Sequence, residues 1–361
     1  MGRSDLKMLK SGTDTTKTTP TIYDVARVAG VGRSTVSRVL NSQGEVSEET
    51  RERVRQAIKE LGYTSNAQAK TLASGKYASI GLVYAADPNT EPNSYYYSAL
   101  EIGALRACNQ YGFKLQIHCI SDEGLSSSAE VFQVLKAENV DGVILTPSFS
   151  DDIRLLEALK KAGIPFVSIS SGRQARAMTP GVGIDDEAAG YELGTYLIGL
   201  GHKTFAYMHG MPGDMAAAER FVGFERALRE AGIPLASVRT ARGNFTFQSG
   251  IELLSELISA PRPTAVVCAN DDMAAGAVFR AHELGISLPK ELTITGFDGA
   301  PVSEITWPPL TTIRQPLKEM GERAGALLIN AINFGGPPKD NTFITLPHEL
   351  IVRRSSIAPN P

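Results

Sequence analysis

The sequence predicts a small all-α head followed by an α/β body of two doubly wound subdomains. Three observations carry this expectation. Residues 21–64 hold three short stretches with apolar residues at helical spacing. From Ala78 onward, short apolar runs alternate with amphipathic stretches in two successive series. Strands buried on both faces and alternating with helices make parallel sheets. Charge is also split along the chain. Residues 1–76 carry 13 Lys and Arg against 8 Asp and Glu, a net of +5, and the remainder carries 23 against 31, a net of −8. A basic head on an acidic body points to a polyanionic partner for the head alone.

The 361 residues are long for a single core and suggest two or three domains. Residues 1–20 are polar, rich in Thr and Lys, and expected to be disordered. They show no apolar core of the signal-peptide kind, and no run in the chain is apolar enough to span a bilayer. A cytoplasmic protein without a membrane partner is expected.

The helix-turn-helix reading of residues 21–64 rests on caps and stripes. Thr21 suits an N-cap with Asp24 at N3. Ile22, Val25, Ala26 and Ala29 then repeat at helical spacing, and Gly30 ends the helix. After Val31 and Gly32 the stretch "VGRSTVSRVLN" (31–41) starts a second helix. Val36, Val39 and Leu40 share one face; Ser34, Ser37, Arg38 and Asn41 share the other, which is rich in donors and holds no carboxylate. A typical solvated helix face mixes both signs of charge. Two short helices around a Gly-containing turn form the motif. In the third helix Val46 serves as staple, Ser47 as N-cap, Glu48 and Glu49 suit the positive dipole end, and Val54, Ala57, Ile58 and Leu61 form the stripe before Gly62.

In such heads the second helix enters the major groove and reads base edges with its N-terminal residues, which are Arg33 and Ser34. Arginine can pair bidentately with guanine. Thr35, Ser37 and Asn41 suit phosphates or bases, and Arg38 either. Thr21, Tyr23, Ser47 and Asn66 are included among the expected DNA contacts. Residues 65–77 link head to body. Within "SNAQAKTLASGK" residues 66–74 could make two helical turns, marginal in isolation, or a flexible linker.

The body's strand-like runs are "SIGLVY" (79–84), "KLQIHCI" (114–120), "DGVILTP" (141–147) and "PFVSIS" (165–170), then "TFAYMH" (204–209), "TAVVCA" (264–269) and "LTITGF" (292–297). Amphipathic stretches include 151–161, 187–200 and 271–285. The expected effector-binding body covers 78–356, with one subdomain at 78–183 and 314–337 and the other at 184–313 and 338–356. Ligands in such sheets sit at strand carboxyl ends, and between two subdomains the cleft is the natural pocket. Asn270 and Asp271 follow one strand, Asp298 follows another, Arg220 begins "RFVGF", and Phe245 lies in "ARGNFTF". Carboxylate, amide and guanidinium groups with an aromatic face suit a sugar, by paired hydrogen bonds to hydroxyls and stacking on C–H faces. Asn270 or Asp271 could instead cap the following helix, and both roles can coexist.

Cys108, Cys119 and Cys268 and the five histidines have no metal-ligand spacing. No nucleophile elbow or Walker loop is present, and "GVGIDDEAAG" (181–190) has Asp186 where a dinucleotide motif needs its third glycine. An enzyme is therefore not expected, nor any cofactor or metal. A transport-type solute-binding protein would fit the body alone but not the head.

The stretches "TIYDVARVAGVGRSTVSRVLN" and "VSEETRERVRQAIKELGY" resemble the head of the lactose-repressor/galactose-repressor family of bacterial transcription regulators. The resemblance continues to about Ser356 and implies a periplasmic-binding-protein-like effector domain. It implies that Arg33 and Ser34 vary with operator sequence and that Thr35, Ser37, Arg38 and Asn41 are shared DNA contacts. It implies that residues 66–74 fold when two copies pair in the minor groove, with Leu72 wedging a base step and Ala69 at their close approach. Ser65 stands where relatives usually have Pro, and Gln68 where they have an apolar residue. In the body it implies effector contacts at Arg220, Asn270, Asp271 and Asp298, with Phe245 stacking on the ligand. Ser170 falls where sugar binders often have Asp, and Tyr96 and Tyr97 of "SYYYS" fall where the family has two Phe. The expected partners are double-stranded, near-palindromic operator DNA, further copies of the chain in a homodimer in preference to a tetramer, and a small effector, most often a sugar and in some relatives a nucleoside or purine.

Overall fold

A computed structural model describes residues 21–40, 46–61, 77–85, 94–120, 127–334 and 342–360. The chain divides into two compact units, residues 1–67 and 68–361.

The first unit is built on α1 (Ile22–Ala29), α2 (Arg33–Leu40) and α3 (Glu48–Leu61). The Asp24 carboxylate at N3 of α1 accepts from the Thr21 backbone N at 2.9 Å and from its hydroxyl at 2.7 Å. These bonds hold the carboxyl down at about 2. Gly30 closes α1 at φ 66°, a conformation that costs other residues strain. Ser47 Oγ accepts from Thr50 N at the start of α3. The stripes then meet in one small core of Val25, Ala26, Ala29, Val36, Val39, Val54 and Ala57, edged by Ile22, Val31, Val46, Ile58 and Leu61.

The second unit alternates strand and helix, as its apolar runs predict. Its first half holds β1 (Ser79–Ala85), α4 (Ser94–Tyr111), β2 (Lys114–Ile120), α5 (Ser127–Ala137), β3 (Val143–Leu145), α6 (Ile153–Ala162), β4 (Phe166–Ile169), α7 (Arg173–Arg176) and β5 (Gly181–Gly183). Its second half holds α8 (Asp186–Gly199), β6 (Phe205–His209), α9 (Met215–Glu230), β7 (Arg239–Arg242), α10 (Phe247–Leu257), β8 (Ala265–Cys268), α11 (Asp271–Glu283), β9 (Thr293–Asp298), α12 (Val302–Ile305) and β10 (Thr311–Arg314). The chain returns to the first half through α13 (Leu317–Phe334) and β11 (Phe343–Thr345), then ends in the second with β12 (Glu349–Ile351).

Two six-stranded sheets result, in the orders β11-β5-β4-β3-β1-β2 and β12-β10-β9-β8-β6-β7. The first is parallel throughout. The second is parallel except where β12 runs against β10. Central strands such as β4, β8 and β9 are buried along their whole length, which explains why their sequences read as unbroken apolar runs.

One boundary differs from expectation. The first subdomain does not end at residue 337, because Phe343–Thr345 pairs with β5 in the first sheet. The crossing back lies between β11 and β12. The cause is steric: Gly181 and Gly183 leave a bare strip of backbone that the Phe343 ring covers, and a Cβ on either would come within 3 Å of that ring. The chain thus crosses between subdomains three times, after β5, β10 and β11.

Candidate functional site

The head presents its polar face as the sequence predicts. Arg33, Ser34 and Arg38 on α2 are exposed and Thr35 half-buried, while Val36 and Val39 face inward. Thr21, Tyr23 and Ser47 are also exposed. Arg33 is held in advance: its Nη1 donates to Tyr23 Oη at 2.8 Å, and its guanidinium carbon lies 5.5 Å from the centroid of that ring. This contact spans α1 and α2 and restricts the rotamers of a long exposed side chain. Asn41, Asn66, Ala69 and Leu72 and the side chain of Ser37 lie outside the described residues.

In the body, a narrow cleft lies between the subdomains. Tyr96 and Tyr97, at the start of α4, and Pro147 form its first-subdomain wall; Asp214, Ala216, Arg220, Phe245 and Asp298 form the other. Tyr97 stacks on Tyr84 with centroids 4.2 Å apart and donates to Ala85 O at 3.2 Å. Tyr96 is buried and donates to Ser170 Oγ at 3.1 Å.

Arg220 owes its position to a close helix crossing. A Cβ on Gly190 would lie 1.9 Å from Arg220 O, and one on Gly223 equally close to Glu187 O. Only glycines let α8 and α9 approach so nearly. The approach brings Asp186, in the first turn of α8, within 3.0 Å of Arg220 Nε. Nη1 donates to Ala269 O at 3.2 Å, and the guanidinium lies 3.8 Å over the Phe297 ring. Burial opposes this charge, but Asp186, Asp298 and Asp214 outweigh it and hold the guanidinium protonated. Asp186 is fully buried, which pushes its carboxyl up to about 6 against the pull of Arg220 and Arg176. Burial likewise raises Asp214, whose carboxylate caps α9 by accepting from Ala217 N at 2.9 Å.

Strained backbone gathers here. Among the described residues five non-glycines have positive φ, and three belong to this site: Ser170 (51°), Phe245 (65°) and Asp298 (105°). Such conformations cost free energy and cluster where function needs them. The Phe245 ring reaches Gly210 with its outer edge, where a Cβ would come 2.0 Å from Cζ. Asp298 accepts from Gln315 Nε2 at 2.7 Å.

Five of the eight expected effector residues, Tyr96, Tyr97, Arg220, Phe245 and Asp298, thus face one cavity. Ser170, Asn270 and Asp271 stand behind its walls. Ser170 holds Tyr96. Asn270 caps α11, its Oδ1 accepting from Met273 N at 3.0 Å, and its Nδ2 donates to Phe245 O at 2.9 Å. Asp271 accepts from Ala300 N at 2.6 Å, and burial beside Asp298 lifts its carboxyl well above the usual range. The helix following β8 takes Asn270 for its cap, while Asp271 ties that helix to the loop after β9. Two wall or support carboxylates escaped the sequence reading. Asp214 had a usable signal, an Asp just ahead of a helical run and after a strand. Asp186 had none, since its importance comes from the tertiary crossing of α8 and α9.

An acid-free second helix on a three-helix head and a polar, aromatic-lined cleft between two doubly wound halves define a DNA-binding regulator with a ligand-binding body. The chain matches "Bacterial regulatory proteins, lacI family" over residues 21–66 and "Periplasmic binding protein-like domain" over residues 195–356. It is 35% identical over 338 residues to the HTH-type transcriptional regulator DegA of Bacillus subtilis (strain 168), covering 93% of this chain and 98% of DegA. The solved complex of the transcriptional regulator CelR with cellobiose shares 32% identity at a TM-score of 0.68, over 93% of this chain and 100% of that one. A lac repressor dimer bound to operator and the anti-inducer ONPF shares 27% at 0.66, over 94% and 100%. The chain belongs to the lacI family, and it is a DNA-binding transcriptional regulator with a ligand-binding domain.

Proposed function

We propose that this regulator acts as a homodimer on a near-palindromic operator, and that a neutral sugar in the body cleft sets its affinity for that operator. The observation that carries the reading is the charge of the cleft. Among the described residues Arg220 is the one guanidinium that lines it, and it is already neutralised by Asp186, with Asp298 and Asp214 close by. A phosphorylated ligand would meet a surplus of carboxylates there. Hydroxyls would meet acceptors in the carboxylates, donors in the guanidinium, and a C–H-stacking face in Phe245. The related CelR structure holds cellobiose, which agrees in ligand class. A ligand that favours one setting of the subdomains shifts operator affinity by its differential affinity for the two settings.

The test is a thermal-shift screen of neutral mono- and disaccharides, sugar phosphates and purine nucleosides. A true effector at 100 times its Kd stabilises the protein by about 2.7 kcal/mol. It should also change operator affinity in a fluorescence-anisotropy titration. Asp298→Ala should abolish that response and leave operator binding without sugar intact. A response confined to sugar phosphates or purines, or a normal sugar titration of Asp298→Ala, would overturn the reading.

A further inference from the structure

Asp186 is fully buried, at the point where the chain has just crossed from the first subdomain into the second. Its carboxylate is divided. Oδ1 accepts from Nε of Arg220, which lines the cleft from the second subdomain, at 3.0 Å. Oδ2 accepts from Nη2 of Arg176 at 3.3 Å. Arg176 sits on α7, between β4 and β5, and therefore moves with the first subdomain.

Arg176 is in turn well anchored to its own side. Its Nε donates to Ser171 O, and its guanidinium lies 4.6 Å over the ring of Phe343 on β11. It also reaches Glu219 Oε2 at 3.4 Å, one residue before Arg220 on α9. Around it the subdomains meet without a gap. Arg173 N donates to Glu219 Oε1 at 2.8 Å, and a Cβ on Gly172 would come 2.6 Å from Met215 Cβ. Two arginines and two carboxylates, one of each from an element that touches the cleft, form a nearly neutral set in which Asp186 and Arg220 are buried and Arg176 and Glu219 half-buried. Such a set tolerates burial only while every member keeps its partners.

We infer that Asp186 is a positioning residue of the ligand site, one carboxylate shared between the guanidinium that meets the ligand and the guanidinium that anchors the first subdomain. The inference rests on the cleft being the ligand site. Separating the subdomains along this edge withdraws Arg176 and leaves Asp186 to Arg220 alone, which changes where the cleft guanidinium is held. Conversely, a ligand that draws Arg220 toward itself loosens its claim on Asp186 and strengthens that of Arg176. Ligand contact and subdomain setting are thereby linked through a single charge rather than through a chain of packed side chains.

The test uses the full-length protein in two arms. In the first, without any sugar, the Nε–H resonance of Arg220 is followed by arginine-labelled NMR in wild type, Asp186→Asn and Arg176→Met. Arg176→Met keeps an unbranched apolar side chain on α7 while removing the guanidinium, and thermal unfolding checks that each variant remains folded. Sharing requires that Arg176→Met shift the Arg220 resonance, as Asp186→Asn does. An unmoved resonance in a folded Arg176→Met protein overturns the sharing. In the second arm, the neutral sugars of the screen are titrated calorimetrically into wild type and Arg176→Met. Although Arg176 does not line the cavity, its loss should change the Kd of a bound sugar about fivefold or more. An unchanged Kd reduces Asp186 to a structural ion pair and overturns the positioning role. If no sugar binds wild type, the reading of the cleft fails and the positioning role with it, while the resonance arm still decides whether the carboxylate is shared.

Discussion

Asp151 shows how one residue can carry a pH dependence that its sequence position does not announce. It sits before α6, in a 3-10 turn, and its Oδ1 accepts from Gly172 N at 2.7 Å. Burial, with the nearby Asp214 and Glu219, pushes its carboxyl up to about 7. The folded state therefore holds this proton through a range in which the unfolded chain, near the ordinary carboxylate value of about 3.9, has released it. The favourable contribution is complete below that value and is lost as pH rises toward 7. Asp151→Asn keeps an acceptor for Gly172 N and removes the charge. It should raise stability by about 1–3 kcal/mol at pH 8 and much less at pH 5, measured by urea denaturation at both. An equal effect at the two pH values would show that the charge is not the cause. The contrast with Arg220 and Asp298 is instructive about legibility. Those two stand at strand ends or on a helix whose register the sequence displays, so their approach to the cleft could be expected. Asp151 and Asp186 are defined by what folds over them, and a buried carboxylate reads in sequence like any surface one.

At the scale of the element, Asn270 decides two structures at once. Met273 N requires an acceptor and Phe245 O requires a donor, so the orientation of the amide is fixed by its neighbours. One half starts α11, and the other holds Phe245 in its left-handed conformation over Gly210. Asn270→Asp keeps the cap and sets a carboxylate against a carbonyl. Asn270→Ala loses both bonds. A cap is worth about 1 kcal/mol and a neutral hydrogen bond about 1 kcal/mol, so Asn270→Ala should cost about 2 kcal/mol by chemical denaturation. Asn270→Asp should be nearly as damaging, with sugar affinity falling in both. An Asn270→Asp protein as stable as wild type would show that the grip on Phe245 adds nothing. The same scale sets the limits of what the sequence displays. Every long apolar run became a strand, and in the central strands burial on both faces leaves no alternation to misread, whereas the run of the edge strand β2 is only partly buried. The short strands β5, β7, β10, β11 and β12 were not visible: they are three or four residues long, most carry Gly, Thr or Arg, and pairing with a neighbour, rather than their own pattern, makes them strands. The strip formed by Gly181 and Gly183 under Phe343 is the clearest case, since three residues of one segment are meaningful only beside three of another.

For the whole molecule, the split of charge has consequences for DNA binding. The +5 head supplies the attraction for phosphates, and the −8 body opposes stray contacts. On the proposed reading, a single head would offer base edges Arg33, Ser34 and a few neighbours, a short readout for a genome of competing sites. Two heads related by two-fold symmetry double it, and they require an operator with matching symmetry. This can be tested on an operator selected from random DNA. Replacing one half-site removes several base contacts, each worth about 1–3 kcal/mol, so affinity at fixed salt should fall by about a hundredfold or more. Inserting about 5 base pairs between the halves turns one half to the opposite face of the duplex, given about 10.5 base pairs per turn, and should be equally costly even though no contacted base has changed. A protein that binds the inserted operator as tightly as the original would be reading one half-site at a time, and the two-fold arrangement would have to be abandoned.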